Sequence, residues 1–149
     1  MEFKIPVPLT LEHEKLHAEL TKATRSGGKT AEAAKIVANI LHPHFLKEEE
    51  FALPPLGLLT RLGNGQIDPQ MKDVLAMTDR LKADLPQMIA EHKSIVSALE
   101  NLGRAAKEEN KTEFARFVEK LRLHAQTEEE VLYPAAIMIG ELVKLKLDK

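Results

Sequence analysis

The chain has 149 residues, a length that suits one domain with a hydrophobic core, and we expect that domain to span residues 1–149. Charged residues make up 30% of the chain, its net charge is −2, and it lacks the basic footprint of a nucleic-acid-binding protein. Cysteine is absent, which excludes disulfides, thiolate nucleophiles and cysteine-held iron–sulfur clusters. No signal peptide or long apolar span is recognisable, so we expect a cytoplasmic protein without a membrane segment.

Caps, breakers and apolar periodicity predict an all-α protein. Pro43 and Pro86 each fall inside a predicted helix and should bend it, and Pro134 should end the fourth helix. The residues between Pro54 and Ile67 contain turn signals and are predicted to connect two helices. The predicted helices run, approximately, from Thr10 to Arg25, from Thr30 to Leu53, from Asp68 to Lys107 and from Thr112 to Tyr133, with a short extra C-terminal helix from Ala135 to Leu147.

The two halves of the chain repeat one pattern of histidines and glutamates. The pair Glu12-His13 recurs 79 positions later as Glu91-His92. The second pattern, a histidine followed four residues later by three glutamates, begins at His44 and again 80 positions later at His124. This repeat predicts two helical hairpins of the same design.

The spacing within each hairpin predicts the height of its histidines. His13 and His44 are equidistant from the Gly27-Gly28 turn, and His92 and His124 are equidistant from the polar stretch 107–111. In an antiparallel hairpin such residues lie at one level. We therefore expect an antiparallel up-down four-helix bundle, with each hairpin presenting its own two histidines as a pair.

Histidine and glutamate four residues apart share a helix face, and this arrangement suits metal binding. Four inward imidazoles and two inward carboxylates would give each of two metal ions two nitrogen ligands and shared oxygens. Such donors favour iron, manganese or zinc over magnesium or calcium. The predicted metal ligands are His13, His44, Glu48, His92, His124 and Glu128.

These motifs resemble those of the hemerythrin-like, or HHE cation-binding, family, in order and over nearly the whole chain. The resemblance rests on Glu12-His13, on HFLKEEEFALP (residues 44–54), on Glu91-His92 and on HAQTEEEVLYP (residues 124–134). It implies a left-turning four-helix bundle with two iron ions, an oxo or hydroxo bridge between them, and Glu48 and Glu128 as bridging ligands. Zinc or manganese would be the possible substitutes.

Several positions leave alternatives open. Oxygen-carrying hemerythrins have a second histidine one turn after the third-helix histidine, where this chain has Val96. His17, four residues after His13, is either a further ligand of one ion or a packed residue near the site. Glu49 and Glu129 are the alternative ligands if a proline alters the local winding. Tyr133 lies nine residues after His124, about 180° around an ideal helix, so a redox role is not expected for it unless Pro134 reorients it.

The expected function is binding of, or reaction with, a small diatomic or peroxide ligand: oxygen, nitric oxide or hydrogen peroxide. Sensing, scavenging and storage all fit this pattern. The alternatives are a peroxide-degrading or oxidase-like di-iron enzyme, and a non-catalytic protein that senses or handles iron. The residues do not decide whether the chain is an enzyme, or its oligomeric state.

Overall fold

The structure is a computed structural model that describes residues 2–147. These residues form helices and no strands. The main elements are α1 (Val7–Thr24), α2 (Gly28–Lys47), a π-helical turn (Glu48–Ala52), a 3-10 turn (Pro54–Leu58), α3 (Leu59–Gly63), a second 3-10 turn (Pro69–Val74), α4 (Leu75–Glu108), α5 (Thr112–Thr127), a second π-helical turn (Glu128–Leu132) and α6 (Tyr133–Leu147).

Four helices form the predicted bundle. Helix α1 packs against α2 and α5, and α4 packs against the same two helices, so each helix has two neighbours in a ring. Inside the ring, apolar side chains from all four helices form a first core, among them Leu20, Val37, Leu99 and Phe117. The all-α fold class is therefore confirmed, and the two hairpin turns lie near residues 28 and 110.

A second core closes one end of the bundle. It joins the first π-helical turn, the connection after it, the start of α4 and helix α6. Phe51, Leu56, Leu81, Met88 and Val143 are among its fully buried members. No helix in the described part of the chain is long and apolar enough to cross a membrane.

Both helices of the first hairpin begin two or three residues earlier than predicted. Helix α1 begins at Val7, so Thr10 lies inside it rather than at its cap. Pro8 lies in the first turn of α1. A backbone N–H at this position would have no carbonyl partner within the helix, so proline is tolerated there. Helix α2 begins at Gly28 rather than Thr30, and both Gly27 before it and Gly28 itself have a positive φ.

Pro134 does not end the fourth helix, which corrects the prediction. Helix α5 passes through the second π-helical turn directly into α6, so the extra C-terminal helix is a continuation that begins at Tyr133. The backbone N–H of Tyr133 donates to the carbonyl of Glu128, five residues back. This wide turn places Pro134 in the first turn of α6, where a proline is tolerated.

Candidate metal centre

The six predicted ligands lie in the middle of the bundle, between the two apolar cores. Along α1 and α2, His13 and His44 lie next to Leu16 and Leu41 of the first core. Along α4, His92 lies between Met88 of the second core and Ile95 of the first. All six side chains are buried, none being more than 5% exposed: His13, His44, Glu48, His92, His124 and Glu128.

The six side chains form two clusters that share both carboxylates. One contains His13 and His124 with Glu48 and Glu128, and the other contains His44 and His92 with the same two glutamates. Within each cluster, one ligand atom from every residue lies within 4.8 Å of the others. The facing Nε2 atoms are 3.1 Å apart in the first cluster and 2.9 Å apart in the second.

The pairing of the histidines corrects the sequence prediction. We expected His13 to pair with His44, and His92 with His124, because each pair belongs to one hairpin. The structure instead pairs α1 with α5 and α2 with α4. Equal distance from a turn determines only the height of a side chain. The neighbour towards which an imidazole points depends on how the two hairpins pack.

The two carboxylates lie in an environment that opposes two negative charges. Burial and the neighbouring charge of Glu128 raise the pKa of Glu48 well above its ordinary value. Burial also opposes the charge of Glu128, but hydrogen bonds from Glu48 and the histidines outweigh it and hold its pKa well below the usual range. The surroundings therefore disfavour the charge of Glu48 and favour that of Glu128.

Two buried carboxylate oxygens fit a bound cation. Glu48 Oε1 has no hydrogen-bond partner among the described residues, and Glu128 Oε2 has none of good geometry, although Nε2 of His124 lies 3.1 Å away. Buried polar atoms rarely lack a partner, and an unseen ion is one of the usual reasons. The imidazole nitrogens and carboxylate oxygens around these atoms are donors that iron, manganese and zinc accept. The residues present therefore fit a pair of such ions.

Three of the four imidazoles are oriented by a carboxylate on their outer side. Nδ1 of His44 is 2.8 Å from Oε1 of Glu91, and Nδ1 of His92 is 2.9 Å from Oε1 of Glu129. Nδ1 of His124 contacts Glu12 in the same way. These contacts direct Nε2 of each ring inwards, as carboxylates behind metal-bound histidines do. Glu129, expected as an alternative ligand, has this supporting position instead.

The fourth imidazole, that of His13, is held by stacking. Its ring is parallel to that of Phe45, with an angle of 7° and a centroid distance of 4.1 Å. Glu49, the counterpart of Glu129 in the repeat, is exposed. The two halves of the centre therefore differ in how they hold their α1 and α4 histidines.

Tyr133 is a residue of this centre that the sequence prediction missed. Its side chain is fully buried, and its hydroxyl donates to Oε2 of Glu48 at 2.6 Å. The same hydroxyl lies 3.3 Å from Nε2 of His44 and 3.2 Å from Nε2 of His92. Burial, together with the charges of Glu48 and Glu128, raises the pKa of Tyr133 above its ordinary value.

The wide turn after Glu128 explains why Tyr133 faces inwards. An ideal helix would place it about 180° from His124, and one residue absorbed by a π-helical turn shifts that angle by about 100°. The first half has the same turn, in which Leu53 N–H donates to the carbonyl of Glu48 before Pro54. The proline after each EEE motif was the available signal.

His17 does not join either cluster. It is exposed and lines a surface pocket between α1 and α2. The buried side of α1 consists of His13, Leu16, Leu20 and Ala23. Position 17 points about 80° away from the middle of that side. Both alternatives for His17, a further ligand of one ion and a packed residue near the site, are therefore wrong.

A helical bundle with clusters of histidine and glutamate in its interior is an architecture that suits metal binding. A model of the hemerythrin HHE cation-binding domain matches residues 8–136. The chain belongs to this family, and it has a His/Glu cluster suited to a cation. No curated protein and no solved structure matches the chain.

Proposed function

We propose that this chain is a non-haem di-iron protein that binds or reacts with a small ligand: oxygen, nitric oxide or peroxide. The sharing of Glu48 and Glu128 between two clusters is the observation that carries the proposal, because it suits two adjacent ions with bridging carboxylates. Each ion would have two imidazoles of its own. The proposed ligands are His13, His44, Glu48, His92, His124 and Glu128.

When bound, two iron ions with a bridging oxo or hydroxo group would supply electrons and coordination positions for such a ligand. The protein contributes the surroundings. The two cores exclude bulk water, since every proposed ligand side chain is buried. Glu12, Glu91 and Glu129 hold the imidazoles in place from outside. Tyr133 holds a proton at its hydroxyl, directed at Glu48.

The experiment is anaerobic loading of the chain with Fe²⁺, followed by elemental analysis and absorbance spectra after addition of oxygen, nitric oxide or peroxide. We expect two iron ions per chain and a spectral change with at least one of the three ligands. A chain that folds but binds no iron would refute the proposal. Iron uptake without any ligand reaction would favour the alternative of an iron-sensing or iron-handling protein.

The position of Tyr133 favours one alternative, a peroxide-degrading or oxidase-like enzyme. A buried phenol next to two imidazoles and a carboxylate can donate a hydrogen bond from its hydroxyl group to a bound ligand and so assist proton transfer to it. The matched test is Tyr133→Phe, which removes only that oxygen. If the enzyme proposal holds, peroxide turnover falls by about a hundredfold or more while iron content is kept. Equal turnover in both proteins would argue against it.

The cytoplasmic location and the extent of a single domain over residues 1–149 stay predictions. So does the absence of a nucleic-acid partner.

A further inference from the structure

Two surface pockets occupy equivalent positions in the two halves of the bundle. The first lies between α1 and α2, and its lining includes His42 and Phe45. The second lies between α4 and α5, and its lining includes Arg122 and Ala125, each 80 positions after its counterpart. Each pocket has a volume of about 360 Å³. The repeat therefore allows a direct comparison of two possible entrances to the centre.

Only the second of these two pockets reaches a proposed ligand. Its lining includes His92 and Glu129, the pair joined by a hydrogen bond of 2.9 Å. The first pocket ends at Phe45, whose ring covers His13 by stacking. Where the first half has this phenyl ring, the second has only the methyl group of Ala125. The same architecture is thus closed in one half and open in the other.

The charges of the second pocket suit a small anion. Lys93 and Arg122 line it together with Glu100 and Glu129. Glu129 is engaged with His92, and Glu100 is 3.8 Å from a terminal nitrogen of Arg122. Nε of Arg122 is buried and has no hydrogen-bond partner in the described part of the chain. A guanidinium keeps its charge at any physiological pH, and because the Arg122 side chain is 41% exposed, the outer part of this cation can attract an anion in the pocket.

A third pocket, between α1 and α5, also reaches the centre, at His124. Each of these two routes has a carboxylate at its inner end, Glu12 against His124 and Glu129 against His92. The routes differ in their cations, because the third pocket has the lysines Lys15 and Lys120, of which Lys120 is engaged by Glu19 at 3.1 Å. The second pocket has a guanidinium, whose planar set of N–H donors suits an anion better than an ammonium group does.

We propose that small monovalent anions enter the centre through the pocket between α4 and α5, guided by Arg122, and that Phe45 closes the equivalent route between α1 and α2. The inference rests on the proposed function, because the di-metal centre is the destination of the anion. It assigns Arg122 and Ala125 to ligand selection, although neither is a proposed metal ligand.

Tyr133 provides the measurement. It is the only tyrosine and the chain has no tryptophan, so its fluorescence comes from within the centre. The test uses the full chain loaded with Zn²⁺, which has no redox chemistry. Iodide is the anionic quencher and acrylamide the neutral one. Ala125→Phe should largely abolish iodide quenching. Arg122→Gln should weaken iodide quenching at least about threefold and leave acrylamide quenching unchanged.

The controls separate the route from general effects. Arg116→Gln removes the same charge from an exposed position on the same helix and should leave iodide quenching unchanged. Phe45→Ala should raise iodide quenching, because it opens the route between α1 and α2 that Phe45 closes. Circular dichroism verifies folding, and Ala125→Val is the milder blocking variant if phenylalanine is not tolerated.

The proposal is overturned if Arg122→Gln and the folded blocking variant both quench like the parent chain. It is also overturned if Arg116→Gln lowers iodide quenching as much as Arg122→Gln does. Failure of the proposed function would be recognised by a different measurement, because elemental analysis would then find no bound metal. The quenching comparison still decides the route in that case, because Tyr133 reports arrival with or without metal.

Discussion

At the scale of single residues, the buried pair of Glu48 and Glu128 shapes the centre. Two carboxylates placed side by side in an apolar interior cannot both stay charged without a cation. Burial and the charge of Glu128 raise the pKa of Glu48 well above its ordinary value, and Glu48 Oε1 has no hydrogen-bond partner among the described residues. Bound divalent ions would balance both negative charges. The pair therefore favours metal binding over a purely structural role.

The cluster pairing leads to a prediction about metal content. Because His44 and His124 belong to different clusters, His44→Ala and His124→Ala should each lower the iron content to about one ion per chain, and the double variant should retain almost none. Elemental analysis after anaerobic loading measures this. His42→Ala is the matched control, since His42 is exposed on the same helix as His44. Full iron content in the double variant would contradict the ligand assignment.

At the scale of elements, the two π-helical turns connect the ligands to the rest of the fold. Each begins at a proposed bridging glutamate, Glu48 or Glu128. Each ends two residues before a proline, Pro54 or Pro134. The proline cannot donate a backbone hydrogen bond, so a wider turn costs little at this point. The turn after Glu128 brings Tyr133 into the centre. The same local feature therefore ends the ligand motif and supplies an additional polar group.

The contact between α6 and α4 should be sensitive to a single methyl group. A Cβ atom on Gly140 would lie 2.7 Å from Cβ of Thr78, too close to be relieved by a side-chain rotation. Gly140→Ala should therefore destabilise the protein, because overpacking of about 1–3 kcal/mol outweighs a gain in helix propensity of about 1 kcal/mol. Urea unfolding measures the difference.

Gly103→Ala is the control for this prediction. A Cβ there would meet Val118 at 3.7 Å, an ordinary contact, so the propensity gain should appear as higher stability. Equal effects of the two substitutions would show that the close approach of α6 to Thr78 does not limit stability.

Glu109 joins the second hairpin turn to the start of α2. Its carboxylate accepts hydrogen bonds from the hydroxyl and the backbone N–H of Thr30, and these lower its pKa from 4.5 to about 2. A depressed pKa in the folded state means that the stabilisation is complete above pH 4.5 and is lost as the pH falls towards 2. Glu109→Gln should therefore melt at a lower temperature at pH 7.

The difference between the parent chain and Glu109→Gln should shrink as the pH falls from 4.5 to 2. Thermal unfolding followed by circular dichroism at several pH values measures it. Glu108→Gln serves as the control, because Glu108 is exposed and lies 3.8 Å from Lys29 as its ion-pair partner. A melting difference for Glu109→Gln that stays constant down to pH 2 would argue against this contact.

At the scale of the whole molecule, the centre is the polar layer between two apolar cores. The first core packs the four helices, and the second closes the bundle with α6 and the residues after Pro54. Buried polar groups at this junction contribute least to the stability of the fold when they lack a cation, because the free-energy cost of removing them from water is then not compensated. Metal occupancy should accordingly affect the stability of the entire chain.

The expected result is a higher melting temperature with Zn²⁺ than with a chelator. A ligand at a hundred times its dissociation constant adds about 2.7 kcal/mol per site to the free energy of unfolding. Differential scanning calorimetry measures the shift. The double variant Glu48→Gln/Glu128→Gln should show almost no shift, because it keeps the histidines but loses both shared carboxylates. The idea fails if that variant gains as much stability from Zn²⁺ as the parent chain.

The sequence was sufficient for the fold class and for the composition of the candidate centre. The repeat of histidines and glutamates, with helical spacing around it, predicted four helices, six inward side chains and equal heights for the two histidines of each hairpin. This works because the period of a helix determines which residues share a face, and because distance from a turn determines height. Both quantities are properties of a single hairpin and can be obtained without its neighbour.

The tertiary structure alone decided the pairing of the histidines, the role of Tyr133 and the exclusion of His17. The pairing depends on how two hairpins pack, and one hairpin contains no information about the lateral position of the other. Tyr133 depends on a one-residue widening of a helix, which rotates every later side chain by about 100°. His17 lies on the right helix at the right spacing, but the packing of α1 against its two neighbours buries the adjacent side and leaves His17 in solvent.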